Sequence, residues 1–318
     1  MKMKKLCGLF VGAFMTFNAV ANDDFPNAPI NIVVPYAAGG VTDVMARGFT
    51  SKFGEKLGTT AVITNLGGGG GSIAASRLQG GRPDGYTLGW LTTSITTVQP
   101  QIKNLPYNAN SWTPVCRISA YPMVFFVNED SPFNSMDDVY KAVEENPTDY
   151  IFGSSGMATA PHFALVAAFV AKGLGDNVRH IPFEGGGPAL QALISGRVQF
   201  LADSPQYVKR GNFKPLMVFS EERLEEYPNV PTATELGISP PLNIIKVWNA
   251  LFAPAGLPER TLNALNEACD YSANSQEYIK LLREQDVSPF HMGAEEFEGY
   301  FQSQYEASKK LIEAAGLE

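Results

Sequence analysis

The sequence predicts an α/β protein of two domains. Short runs of β-branched and aromatic residues alternate with amphipathic helical patterns along most of the 318 residues, without an internal repeat. Hydrophobic residues make up 45% of the chain, which is enough for a large core. A chain of this length usually divides its core in two.

The first 21 residues have the pattern of a secretory signal peptide. Three lysines come before an apolar run, Leu6–Phe17, and Ala19–Ala21 supplies the small residues of a cleavage site. The apolar run is shorter than the roughly 20 residues that a membrane span needs. We therefore expect export to the periplasm, with the mature chain beginning near Asn22.

The mature chain is expected to be acidic. Cleavage removes three lysines and no acid, so the formal net charge moves from −8 to −11. Such a surface repels nucleic acid and anionic lipid, so neither is expected as a partner. We expect a monomer.

Cysteine and histidine usage gives no support for a metal or cofactor site. Cys116 and Cys269 are the cysteines that remain after cleavage, and in an oxidising compartment they form either one disulfide or two separate buried thiols. His162, His180 and His291 have no metal-ligand spacing. No metal or cofactor is expected.

The predicted strands are separated by helical segments. They are Ile30–Pro35, Ala61–Thr64, Thr87–Leu91, Met123–Asn128, Tyr150–Gly153, Arg179–Pro182, Gln199–Ala202, Leu216–Ser220 and Val247–Ala253. The first helix is the clearest, because apolar residues recur every four positions from Met45 to Leu57. Thr42 is placed to cap its start, and Gly58 follows its end.

Two later helices and two linkers complete the predicted organisation. Ser135–Asp138 resembles a capping box, and Ala294–Ala315 predicts a C-terminal surface helix. Linker-like composition at Asn128–Asn134 and Ser239–Asn243 indicates that the chain leaves one domain and later returns to it. The predicted division is a signal peptide at 1–21, a discontinuous first domain at 22–125 plus 248–318, and a second domain at 126–247.

Three glycine- or serine-rich loops each follow a hydrophobic strand and lead into a helix. They are Ala37–Asp43, Ser154–Thr159 and Glu184–Gly187. Glycines let the backbone approach a ligand, and the first turn of a helix leaves N–H groups unpaired at the positive end of its dipole. An anion is therefore the expected guest. The steric alternative stays open, since such turns also occur in α/β folds that bind nothing there.

Catalytic signatures are scarce, so we do not expect an enzyme. Gly153–Gly156 is not a nucleophile elbow, because its serine is not centred between the glycines. His162 is expected to form a hydrogen bond at a helix start rather than to act as a base. The alternative is an exported α/β hydrolase of carboxylate derivatives, which needs a serine–histidine pair in the cleft.

Several separated segments match, in order, those of a known receptor family. Ile32–Asp43, Arg82–Leu88 and Tyr227–Gly237 closely resemble the Bug-type receptors of tripartite tricarboxylate transporters. The similarity extends from about residue 25 to the C-terminus and includes Gly185–Leu190 and Ala253–Pro258.

The resemblance implies a two-domain periplasmic binding protein of type II, the Venus-flytrap architecture, in which each domain is a mixed sheet flanked by helices. It implies a solute-binding receptor that captures a small carboxylate between the domains and delivers it to integral-membrane transporter subunits. A sensor that presents its ligand to a membrane kinase is a further alternative. Which carboxylate is bound stays open.

Carried onto this chain, the resemblance predicts ligand-binding residues in both domains. They are Tyr36, Ala38, Gly39, Gly40, Thr42, Asp43, Thr93 and Ser94 in the first, and Ser154, Ser155, Thr159, His162, Phe183, Gly185, Gly186, Gly187 and Asp203 in the second. Asp203 either faces the cleft or caps the turn before Ser204. Glu184 departs from the family pattern and is expected to be a solvated rim charge. The alternative is that it faces the ligand, where it would disfavour a multiply charged anion and favour a ligand with an amine or a neutral polar end. The glycine run Gly67–Gly71 is expected to be a mobile loop, because it lacks the residues of a phosphate-binding loop.

Overall fold

The computed structural model describes residues 25–285 and 287–317, and the predicted signal peptide lies outside them. Strands β1 to β11 span Ile30–Val34, Ala61–Asn65, Thr87–Thr92, Trp112–Pro122, Val124–Asn128, Tyr150–Ser154, Val178–Pro182, Phe200–Asp203, Phe213–Val218, Lys246–Pro254 and Ser288–Met292. Helices α1 to α10 span Val41–Leu57, Ser72–Gln79, Gln99–Ile102, Met136–Glu145, Ala160–Val170, Gly186–Ile194, Pro205–Arg210, Glu259–Ala273, Gln276–Glu284 and Ala294–Ala314.

The strands form two mixed sheets, which confirms the predicted fold class. The first sheet has the order β11-β4-β10-β3-β1-β2 and the second has the order β7-β6-β8-β5-β9. We call each sheet with its flanking helices a lobe. The first lobe takes strands from both ends of the described chain and the second takes the middle. This favours the predicted discontinuous domain, whose exact boundaries stay a prediction.

Each sheet has one point at which the strand order reverses. β1 pairs in parallel with β2 on one side and β3 on the other, and β6 pairs in the same way with β7 and β8. Loops at the carboxyl ends of such neighbouring strands diverge and leave a crevice between them. The topology therefore places the loops after β1, β3, β6, β7 and β8 where ligands bind in open α/β sheets.

The predicted helices are present, with one correction at the start of α1. Met45, Phe49 and Phe53 are buried, and the predicted terminator Gly58 has a left-handed φ of 68°. Thr42 does not cap this helix: Gly40 holds the N-cap position, and Thr42 lies inside the first turn.

The other two predicted helix signals are confirmed. Ser135 Oγ accepts from the N–H of Asp138, whose carboxylate in turn accepts from the N–H of Ser135. Phe297 and Phe301 of α10 are buried against Trp248 and Phe252 of β10. In the part of the chain that the structure describes, no helix is long and apolar enough to cross a membrane.

Two strands were missed by the sequence prediction. β4 contains Pro114, Arg117 and Pro122, which interrupt the apolar pattern, although most of the strand is buried. β11 is an exposed edge strand with a proline at its second position. Both join the sheet through long-range pairing, which local propensity does not report.

Cys116 of β4 and Cys269 of α8 form a disulfide within the first lobe. The two residues are fully buried and separated by 153 positions in the sequence. The disulfide therefore ties α8 to β4, the strand next to the edge strand β11 of the first sheet. Of the two states left open by the sequence, the structure shows the bridged one.

Reduction of this disulfide is expected to lower the free energy of unfolding by roughly 2–5 kcal/mol, because the cross-link restricts the unfolded chain. Urea unfolding of the mature protein with and without a reductant measures the difference. The double variant Cys116→Ala, Cys269→Ala serves as the control and should not respond to the reductant. Identical unfolding curves for the oxidised and the fully reduced protein would contradict the expectation.

Candidate functional site

A cavity of about 180 Å³ lies between the two lobes, where the carboxyl ends of β1, β3, β6, β7 and β8 meet. Both lobes contribute to its wall. It is lined by Tyr36, Ala37, Ala38, Gly39, Gly40, Val41, Thr42, Thr92, Ser94, Tyr121, Ser155, Ala160, Pro161, Gly185, Gly186, Gly187, Pro188, Asp203, Tyr207 and Val247. A cavity of this size suits a small molecule rather than a macromolecule.

Most of the predicted binding residues line this cavity. Those that do are Tyr36, Ala38, Gly39, Gly40, Thr42, Ser94, Ser155, Gly185, Gly186, Gly187 and Asp203. The predicted residues that lie behind the wall are Asp43, Thr93, Ser154, Thr159, His162 and Phe183. Glu184 is exposed and does not line the cavity, in agreement with a rim charge.

Three helix N-termini point their first turns at the cavity. Val41 and Thr42 begin α1, Ala160 begins α5 and Gly186 begins α6. The N–H groups of a first helical turn have no acceptor within their own helix, and they carry the positive end of the dipole. Among the described residues, no Lys, Arg or His side chain lines the wall. The donors that the described wall offers to an anion are therefore backbone N–H groups and hydroxyl groups.

Asp43 holds the first loop in place from behind. One carboxyl oxygen accepts hydrogen bonds from Gly39 N at 2.8 Å and Arg47 Nε at 2.9 Å, and the other accepts from Asn65 Nδ2 at 2.9 Å. Burial disfavours the charged carboxylate, but hydrogen bonds from these three groups outweigh it and lower the pKa of Asp43. The carboxylate of Asp43 therefore fixes the conformation of the loop and does not line the cavity.

The second loop is held by serine, threonine and histidine side chains. Thr159 Oγ1 donates to Gly156 O at 2.8 Å, and His162 Nδ1 accepts from the N–H of Ala158 at 3.3 Å. The rings of His162 and His180 lie 4.3 Å apart between centroids. Burial lowers the pKa of His162 to about 3 and that of His180 to about 4, so both rings are neutral near pH 7. His162 thus forms the helix-start hydrogen bond that the sequence predicted.

A serine–histidine pair is present, but it lies outside the cavity wall. Ser154 Oγ is 2.7 Å from His180 Nε2 and 2.9 Å from Gly156 O, which competes for the hydroxyl proton. Ser154 is 1% exposed. His180 Nδ1 is buried and has no hydrogen-bond partner among the described residues, whereas a catalytic histidine needs an acidic or amide group to orient it there. The pair therefore gives little support to the hydrolase alternative.

Gly186 brings the third loop close to two polar side chains of the second lobe. A Cβ at this position would lie 2.7 Å from Tyr207 Oη and 2.9 Å from Asp203 Oδ2. A side chain at this position would therefore have to displace Tyr207 or Asp203. Asp203 has both of the roles left open by the sequence: it lines the cavity, and its Oδ1 accepts from Ser204 N at 2.8 Å.

Three polar wall residues escaped the sequence analysis: Thr92, Tyr121 and Tyr207. Tyr36 Oη lies 3.3 Å from Thr92 Oγ1, so these two form one polar patch. Tyr121 lies on β4, the long strand that the sequence did not predict. Tyr207 comes four residues after Asp203 in the sequence. A search for polar residues just after each predicted strand would have found it.

The glycine run Gly67–Gly71 belongs to the first lobe and lies against the second. Its last three residues form a short 3₁₀ turn, and Gln99 Nε2 donates to Gly70 O at 2.8 Å. Lys103 Nζ donates to Gly69 O and to Met157 O of the second lobe, both at 3.2 Å. Burial lowers the pKa of Lys103. The run, which the sequence predicted as a mobile loop, thus accepts hydrogen bonds from Gln99 and Lys103, and Lys103 also bonds to the second lobe.

Two mixed α/β lobes with a cavity at their facing loops define the architecture of a periplasmic solute-binding protein. The family model for the tripartite tricarboxylate transporter family receptor matches residues 45–317. The chain belongs to this family, whose members are solute-binding receptors.

Three solved structures are similar over nearly the whole chain. The periplasmic binding protein BugD has a TM-score of 0.85 and 26% identity, covering 92% of this chain and 99% of its own. MatC from Rhodopseudomonas palustris with bound malate has a TM-score of 0.81 and 25% identity, covering 92% and 100%. Rpa4515 from R. palustris with adipate has a TM-score of 0.83 and 26% identity, covering 92% and 99%.

The substitution Lys103→Met is expected to loosen the contact between the glycine run and the second lobe, because it removes two hydrogen bonds and keeps the apolar stem. Amide hydrogen exchange at Gly69–Gly71 and at 156–158 should become about three- to tenfold faster. The expected effect is modest because Lys103 is partly exposed, and water weakens its hydrogen bonds. Lys310→Met, on the exposed face of α10, is the matched control. Unchanged exchange in both segments would show that Lys103 does not hold them together.

Proposed function

We propose that this chain is a periplasmic receptor that captures a small carboxylate in the cavity between its lobes, releases it chemically unchanged, and delivers it to the integral-membrane subunits of a tripartite tricarboxylate-type transporter. The observation that carries the proposal is the convergence of three helix N-termini on one small cavity. Relatives of similar fold hold malate and adipate.

Backbone donors are strong enough for such a receptor. A hydrogen bond to a charged group contributes about 1.5–3 kcal/mol, and a helix terminus about 0.3–2 kcal/mol. Several of these together reach the roughly −8 kcal/mol of micromolar binding without an arginine. The hydroxyls of Thr42, Ser94 and Ser155 line the same cavity and can add donors.

The remaining parts of the proposal concern the setting of the receptor. The signal-peptide pattern at 1–21 and the membership of a periplasmic receptor family support export to the periplasm. We propose that the mature protein acts as a monomer whose two domains, 22–125 plus 248–318 and 126–247, close around the ligand. Neither nucleic acid nor a cofactor is needed for this role.

A thermal-shift screen of mono-, di- and tricarboxylates against the mature protein tests the proposed function. A bound acid should raise the unfolding temperature by mass action, by an amount that grows with its concentration. Mass spectrometry of the same mixtures should return the acid unaltered. Turnover of the acid, or the absence of any shift over the whole set, would reject the receptor role.

The substitution Gly186→Val is expected to weaken binding of an acid found in the screen by at least tenfold while the protein still folds. The added side chain displaces Tyr207 or Asp203 and blocks the first turn of α6. Isothermal titration calorimetry gives the affinity, and circular dichroism checks the fold. Gly299→Ala is the control, because a Cβ there meets open space on α10. Wild-type affinity in Gly186→Val would exclude this loop from the binding site.

A further inference from the structure

Asp203 is the one carboxyl group among the described residues that line the cavity. It ends β8, where one of its oxygens is bonded to Ser204 N. The other oxygen, Oδ2, lies beside Gly186 at the N-terminus of α6. A negative group thus lies next to the dipole that is expected to hold an anion. The repulsion between Asp203 and the anion is relieved if a proton is taken up between them or if the ligand presents a hydrogen-bond donor to Asp203.

The groups around Asp203 that the structure describes do not supply a positive charge. Burial raises the pKa values of Tyr36 and Tyr121, and the nearby charge of Asp203 raises both further. The pKa of Tyr36 reaches about 12. The hydroxyl group of Tyr207 lies on the same side of Gly186 as Asp203 Oδ2. Among the described residues, no Lys or Arg forms an ion pair with Asp203. Tyr36 and Tyr121 therefore stay neutral near pH 7, whereas the carboxyl group of Asp203 lies in the same wall with a pKa near that pH.

We propose that Asp203 determines ligand specificity by accepting a hydrogen bond from a hydroxyl or ammonium group of the ligand, so that the cleft prefers a hydroxy or amino acid anion to a plain carboxylate of the same length. The inference rests on the proposed function, because the carboxylate of that ligand occupies the helix N-termini. It adds which second group the ligand carries.

The two kinds of ligand differ in their proton balance. A donor group satisfies ionised Asp203 directly, whereas a second carboxylate near it repels it unless a proton is taken up and shared. Burial raises the pKa of Asp203 to about 7, although the hydrogen bond from Ser204 opposes the rise. A plain diacid that places its second carboxylate there should therefore bind more weakly as the pH rises above 7, by up to tenfold per pH unit. A donor-bearing acid should keep its affinity above pH 7.

Calorimetry of the mature protein between pH 6 and 8.5 tests the proposal with two matched sets. These are succinate, L-malate and L-aspartate, and glutarate, L-2-hydroxyglutarate and L-glutamate. At pH 8 the best donor-bearing acid should bind at least tenfold more tightly than the plain acid of its set. The hydroxy and amino members show which donor the cleft takes. Titration in two buffers of different ionisation enthalpy measures proton uptake, which only the plain acids should show.

The variant Asp203→Asn should lose this discrimination. Affinity for the preferred donor-bearing acid should fall by roughly ten- to a hundredfold, the range for a hydrogen bond to a charged group. Plain diacids should bind without the pH dependence, because an amide donates to a carboxylate and does not titrate. Asp149→Asn, an exposed aspartate far from the cavity wall, is the matched control and should behave as the wild type. Circular dichroism checks that each variant is folded.

The outcomes separate this inference from the proposed function. Equal or better binding of the plain acids by the wild type at pH 8, or the same preference in Asp203→Asn, overturns the role of Asp203 and leaves a carboxylate receptor. Binding of none of the six acids overturns it as well, and the carboxylate screen then decides the proposed function separately. Should the variant fail to fold, the wild-type pH series and proton uptake decide the matter alone.

Discussion

Helices α1, α5 and α6 each follow a parallel strand. The N–H groups in the first turn of each helix find no acceptor carbonyl within the same helix. Buried backbone donors require a partner, and here three sets of them face one space. Their convergence follows from topology, since β1 and β6 each lie between two parallel neighbours. The anionic ligand of the proposed function would be a partner for these donors.

Most charged and polar residues near the cavity act on the loops rather than on its contents. Asp43 fastens the loop after β1, and Thr159, His162 and Ser154 fasten the loop after β6. In the proposed role, backbone donors hold the carboxylate, and discrimination between acids is left to the polar side chains of the wall, among which Asp203 is the carboxyl group that the structure describes.

The sequence predicted the α/β class, most strands and the three loops, because hydrophobic periodicity and glycine positions are local signals. It did not separate wall residues from the residues behind them. Asp43 and Thr42 are neighbours in the same helical turn, yet only Thr42 reaches the cavity. That difference depends on side-chain direction and on partners such as Asn65, 22 positions away. Tyr121 was missed with β4, whose strand pairing is long-range and whose prolines hide its pattern.

The site is divided between the two lobes, and each lobe alone offers an incomplete set of donors. α1 belongs to the first lobe, while α5 and α6 belong to the second. Contacts made by Lys103 across the glycine run favour the approach of the lobes without touching the cavity. In the proposed role, a ligand held by many individually modest backbone contacts loses them together when the lobes part. Tight capture and complete release then follow from one motion, which is what delivery to a transporter requires.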